Sequence, residues 1–164
     1  MFLKKIVLRV LPVLMTLGAC TSNRGTADIT LYGKMEKDGS KFYVARSAED
    51  VRPNNVSSLI KRAIEQYRVA YEGDKAETVA EAVVSAKNAE AQYAVYPTVK
   101  RWDAINEPGR ACQAYIEFVI TVYDAATARR VNQTEFAREC IFAGSDFVTG
   151  DCVNLEQWTE KFVR

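Results

Sequence analysis

KFYVARSAEDVRPNNVSSLIKRAIEQYRVAYEGDKAETVAEAVVSAKNAEAQYAVY, residues 41–96, decides the fold, because its apolar period keeps switching. Lys41-Phe-Tyr-Val-Ala45 is a run of β-formers. Pro53 suits the first turn of a helix, where its missing N–H costs nothing. Val56, Leu59, Ile60, Ala63, Ile64 and Tyr67 then fall at i, i+3, i+4, i+7, i+8 and i+11, one stripe of an amphipathic helix. Arg68-Val-Ala-Tyr71 reads as a second strand, broken by Gly73. Asp74-Lys-Ala-Glu77 has the form of a capping box. Ala76, Val79, Ala80, Val83, Val84 and Ala86 follow as an Ala-rich helix to Ala89, slim enough to lie close to a sheet. Ala91-Gln-Tyr-Ala-Val-Tyr96 is a third strand, and Pro97 marks an edge, a bulge or an exit from the ladder. Strand-helix-strand-helix-strand implies parallel pairing with right-handed crossovers.

The flanks extend this core. Val99 and Trp102 continue the extended run, and Asp103 to Arg110, with Asn-Glu-Pro-Gly, reads as a loop. From Cys112 the even positions Cys112, Ala114, Ile116, Phe118, Ile120 and Val122 are apolar, a long strand with one buried face. Asp124-Ala-Ala-Thr127 is a turn, and Arg129 to Phe142 returns as the second strand of a hairpin. Asn154 stands where it would cap a last short helix through Trp158 and Phe162. Ahead of the core, Ile29 to Tyr32 reads as a short strand and Asp38-Gly-Ser40 as a turn. The expected fold is α/β (α+β). It has one mixed sheet, a βαβαβ core with parallel strands, an antiparallel carboxy-terminal hairpin, and helices on one face. It forms a single domain, residues 29–164.

The amino terminus is of another kind. Lys4, Lys5 and Arg9 precede an apolar run from Val10 to Leu17, the layout of a secretory signal. A membrane-spanning helix needs about 20 apolar residues, more than Arg9 leaves. The run ends in Leu17-Gly18-Ala19-Cys20, which resembles a bacterial lipobox. That resemblance implies cleavage after residue 19. Cys20 then becomes the first mature residue, with diacylglycerol on its sulfur and an acyl chain such as palmitate on its amine. Several chains make membrane attachment durable where one does not. Thr21, not Asp, at the second mature position implies passage to the outer membrane of a Gram-negative envelope. Residues 20–28 are small and polar and read as a tether, with a root-mean-square reach of roughly 16 Å. The domain is therefore expected close to the periplasmic face of the membrane.

Composition removes several function classes. The signal carries three cations and no acid, so its loss takes the chain from +1 to −2. No basic stripe remains for nucleic acid. The chain has no histidine, which excludes Ser-His-Asp and Cys-His catalysis and His-ligated zinc. The mature cysteines Cys112, Cys140 and Cys152 show no Cys-x-x-Cys spacing, so no metal or cofactor is expected. Asp103, Glu107, Asp146 and Asp151 fall in expected loops, but no nucleophile and base can be paired, and the chain is read as a non-enzyme. In an oxidising compartment one disulfide and one spare thiol are expected. If hairpin residues whose numbers sum to 252 face each other, Cys112 and Cys140 are directly opposite and form that bridge, with Cys140–Cys152 as the alternative.

Tyr93-Ala-Val-Tyr-Pro-Thr-Val-Lys-Arg-Trp-Asp103 followed by Ile116-Glu-Phe-Val-Ile-Thr-Val-Tyr-Asp-Ala-Ala-Thr127 resembles the DUF4823 family of bacterial lipoproteins. The helix order and the lipobox fit that resemblance as well. Here Ala128 stands where the family usually closes the turn with Gly. The order of elements is similar to that of the lipoproteins that activate penicillin-binding proteins and to the amino-terminal domain of TolB. No activity is implied by the family. The expected role is a lipid-anchored envelope module that binds a protein partner. The alternative is a small-ligand or glycan site around Trp102 and Asp103. Trp102 is otherwise read as core.

Overall fold

The computed structural model describes residues 24–31, 35, 39–47, 56–105, 112–142 and 155–164. In chain order these form β1 (Arg24–Leu31), β2 (Lys41–Ser47), α1 (Val56–Glu65), β3 (Val69–Ala76), α2 (Val79–Asn88), β4 (Tyr93–Ile105), β5 (Cys112–Asp124) and β6 (Arg130–Phe142). A short helix α3 (Glu156–Trp158) runs on into a π-helical turn, Thr159–Val163. All strands join one mixed sheet in the order β1-β6-β5-β4-β2-β3, an open α+β arrangement. β2 pairs in parallel with β3 and with β4, and the β4, β5, β6 and β1 neighbours are antiparallel.

The helices do not share a face as expected. The chain leaves β2, crosses over α1 and lands beside it as β3. It then crosses back over α2 to reach the other side of β2 as β4. Two crossovers of the same hand running in opposite directions place their helices on opposite faces. The side chains follow. Val56, Leu59, Ile60 and Ile64 of α1 pack with Phe42, Val44, Tyr93 and Val95. Ala82, Val83 and Ala86 of α2 pack with Tyr43, Ala45 and Ala94, the alternate residues of the same strands. The alanines let α2 sit close to the sheet, as read from the sequence.

On the α1 face, the even positions of β5 are buried from Ile116 to Val122, as their alternation predicts. Phe118 and Phe136 stack at 4.9 Å between ring centroids. The carboxy-terminal turn closes this face. The Trp158 indole donates to Asn132 Oδ1 at 3.1 Å, and the Thr134 hydroxyl reaches the same oxygen at 3.2 Å. Both polar side chains on β6 are fully buried, so these bonds are what makes their burial tolerable. Leu155 occupies the position before α3 without a side-chain cap, and Asn154 lies outside the described residues.

Three local expectations change. Residues 24–28, read as tether, are part of β1, paired with β6 from Arg24↔Glu139 to Leu31↔Asn132. An edge strand is held by its backbone ladder, so small polar residues do not betray it. Gly73 does not end β3 but lies inside it, next to a register shift against β2. A Cβ at Gly73 would sit 2.3–2.5 Å from the Tyr43 ring, whose hydroxyl accepts from the Asp74 N–H at 3.0 Å. Glycine here marks a close approach, not a break. The cap of α2 is Thr78, not Asp74. The Glu81 N–H donates to Thr78 Oγ1, and the Glu77 N–H to the Glu81 carboxylate.

The hairpin turn is closed by Asp124 Oδ1, which accepts from the Thr127 N–H at 2.7 Å and from its hydroxyl at 2.8 Å. Ala128 is then forced to φ 56°, a left-handed conformation that its Cβ disfavours. Ala128→Gly should raise stability by about 0.5–1 kcal/mol, after the extra freedom of glycine in the unfolded chain is counted. Gly73→Ala should lower it by about 1–3 kcal/mol through the Tyr43 clash. Chemical denaturation of the two variants checks both signs.

Candidate functional site

β4 carries the features that set up a site. Its alternation puts Val95 and Val99 opposite Val122 and Phe118 on the α1 face. The register then shifts between Val99 and Arg101. The extra residue, Lys100, is a β-bulge, and two successive cations emerge on the face away from α1. Past the bulge Trp102 pairs with Ile116, a buried core position, and Asp103 pairs with Tyr115.

The bulged cations are held differently. The Lys100 ammonium lies 3.7 Å from the Glu117 carboxylate and 3.3 Å from that of Glu135, a bridge across β4, β5 and β6. Arg101 donates through Nε to the Asp103 carboxylate, and its guanidinium carbon sits 4.4 Å over the centre of the Tyr115 ring. The hydrogen bond to Asp103, and then that carboxylate's charge, raise the Arg101 pKa further, so the guanidinium is a permanent cation. The carboxylates of Asp103, Glu117 and Glu135 are thus each tied to a cation. Among the described residues no three His, Cys, Asp or Glu side chains come together as a metal site. The arrangement suits recognition of a charged or planar group.

The residues expected from the sequence fare unevenly. Trp102 and Asp103 lie on a strand, not in a loop cluster, because β4 runs on to Ile105. As neighbours in an extended strand they take register positions on opposite faces. In the hairpin Cys112 pairs with Phe142 and Cys140 with Ala114. The register is therefore two residues away from a direct Cys112–Cys140 facing, and the two are diagonal neighbours on one face. Diagonal neighbours lie about 7–8 Å apart, wider than the usual disulfide span of roughly 4.4–6.8 Å between Cα atoms. One residue of the shift lies in the turn, where Tyr123 already pairs with Arg130, and the second in the bulge between Val122 and Tyr123. Cys20, Glu107, Asp146, Asp151 and Cys152 lie outside the described residues. Lys100, Arg101 and Tyr115 carry no motif that marks them as a site in the sequence. Their signal was the break in alternation, apolar at odd positions to Val99 and at the even Trp102 beyond it.

No family model matches the chain, and no curated protein matches it. Solved structures do match in fold. PelC of Paraburkholderia phytofirmans, a dodecamer, aligns with TM-score 0.61 at 13% identity over 83% of this chain and 96% of that one. A second crystal form of the PelC dodecamer gives 0.60 at 11% identity over 85% and 98%. Lipoprotein GNA1162 of Neisseria meningitidis aligns at 0.39 and 11% identity over 69% and 90%. At these identities the PelC likeness shows a shared fold.

The bulge makes a separable prediction. Lys100→Ala should change stability by no more than about 0.5 kcal/mol, because its ion pairs are exposed. Deleting Lys100 should shift the melting temperature more than Lys100→Ala does, because the bulge and its bend are lost even though residues 101–105 keep their β5 partners. Thermal unfolding of both variants distinguishes the charge from the bulge.

Proposed function

We propose that this chain is a lipid-anchored, non-catalytic module of the bacterial envelope, held through Cys20 at the periplasmic face of the outer membrane. On this reading it works as an assembly of several copies that engages an envelope protein partner. The observation that carries the reading is Leu17-Gly18-Ala19-Cys20 at the end of a signal-like segment, four residues ahead of β1. Among the described residues no helix is long and apolar enough to cross a membrane. The assembly is drawn from PelC, a dodecamer of the same fold. The lack of histidine and the ion-paired state of the carboxylates around Arg101 and Lys100 favour a binding role over hydrolysis.

Fractionation tests the anchor. The protein should sediment with outer membranes, and Cys20→Ala should move it to the soluble periplasmic fraction. A Cys20→Ala protein that stays with the membrane contradicts the anchor. Light scattering on detergent-extracted protein should give a particle of several chains, and a monomer at all concentrations contradicts the assembly.

A further inference from the structure

On the anchor proposed above, one end of the antiparallel half of the sheet faces the membrane. Arg24 pairs with Glu139, Glu139 with Tyr115, and Tyr115 with Asp103, so these four positions form one row across β1, β6, β5 and β4. Beyond the row the strands run only to Ile105, Cys112 and Phe142. Cys20 is four residues before Arg24, and four residues span at most about 14 Å. A lipid on Cys20 therefore keeps this row at headgroup distance. The opposite end, with the β5–β6 turn, is held away by the length of the strands, about 3.3 Å per residue.

We propose that Arg101, seated on Tyr115 beside this row, binds the phosphate of a phospholipid headgroup in the leaflet that carries the anchor. The proposal rests on the lipid anchor above. Arg101 is prepared for such a ligand. Asp103 takes its Nε, Tyr115 supports its plane, and its two η nitrogens have no partner among the described residues. The side chain is 55% exposed, so those donors are accessible. A guanidinium held in plane presents parallel N–H groups that match phosphate oxygens, and a stacked guanidinium is weakly hydrated. Tyrosine beneath it has an apolar body and a polar tip, the combination favoured where acyl chains meet headgroups. Lys100 cannot substitute, since Glu117 and Glu135 both hold it.

The test is hydroxyl-radical labelling of the lipidated full-length protein in vesicles of phosphatidylethanolamine and phosphatidylglycerol, read by mass spectrometry. Tyr115 is compared with Tyr71, which lies 37% exposed on β3 towards the other end of the sheet. Tyr115 labelling should fall several-fold relative to Cys20→Ala protein mixed with the same vesicles, with Tyr71 unchanged. Arg101→Ala should still float with the vesicles but show Tyr115 labelling equal to that of the Cys20→Ala/Arg101→Ala double variant, and Arg101→Lys should keep part of the protection relative to its own Cys20→Ala double variant. Tyr115 labelling equal in floating wild-type protein and in Cys20→Ala overturns the headgroup contact and leaves the anchor standing. Protection of Tyr71 in place of Tyr115 also overturns it. Inorganic phosphate alone protecting Tyr115 in the Cys20→Ala protein assigns the fork to a free anion and overturns the lipid assignment. Wild-type protein that does not float removes the anchor and the contact together.

Discussion

β4 is the strand on which both halves of the molecule depend. On one side it meets β2 in parallel, only from Tyr93 to Val95. On the other it pairs antiparallel with β5 along its whole length. At its start both faces are covered, and Tyr93, Ala94 and Val95 are all fully buried. Past Val95 it leaves β2, so Pro97 lies where the β2 ladder has already ended. It then needs the Lys100 bulge to bring Trp102 to the core-facing register while sending Lys100 and Arg101 outward. One strand thus joins the helix-covered parallel half to a longer antiparallel arm.

The two faces of that arm have different fates. The α1 face is sealed by α3 and its π-helical turn, with the Trp158–Asn132–Thr134 hydrogen bonds buried beneath. The other face is packed by α2 over β2, β3 and the start of β4, and carries Lys100, Arg101, Glu117 and Glu135 farther along β4, β5 and β6. There the side chains satisfy one another across strands, as in the Lys100–Glu117–Glu135 bridge. Exposed pairs of this kind add little stability, on the order of 0–1 kcal/mol each. Their effect is to fix where the cations point, which is what a recognition surface requires.

Much of the fold was legible. The alternation of β5 and the stripe of α1 are strong periodic signals, and the burial of Ile116, Phe118, Ile120, Val56, Ile60 and Ile64 follows them. What sequence periodicity could not carry was direction. The faces of α1 and α2 follow from the order in which β3 and β4 join β2, and no residue in either helix encodes that order. Hairpin register was hidden for a similar reason, because the turn and the bulge at Val122 each shift it by one residue, and a two-residue shift leaves the alternation unaltered. At Gly73 a close approach and a chain break have the same sequence signal until Tyr43 is placed against it. The site was hidden in the same way. Trp102 and Asp103 are adjacent in sequence yet take opposite faces, whereas Arg101 and Tyr115 are brought together only by pairing.

With the lipid on Cys20, the antiparallel arm should stand with its Arg24–Glu139–Tyr115–Asp103 row toward the bilayer. Neutron reflectometry of the lipidated protein on a supported bilayer measures this directly. The expected profile is a protein layer about as thick as the long strands, roughly 43 Å for 13 residues, in contact with the headgroups. A layer much thinner than the strands, or one separated from the headgroups by a water gap wider than about 14 Å, would contradict it.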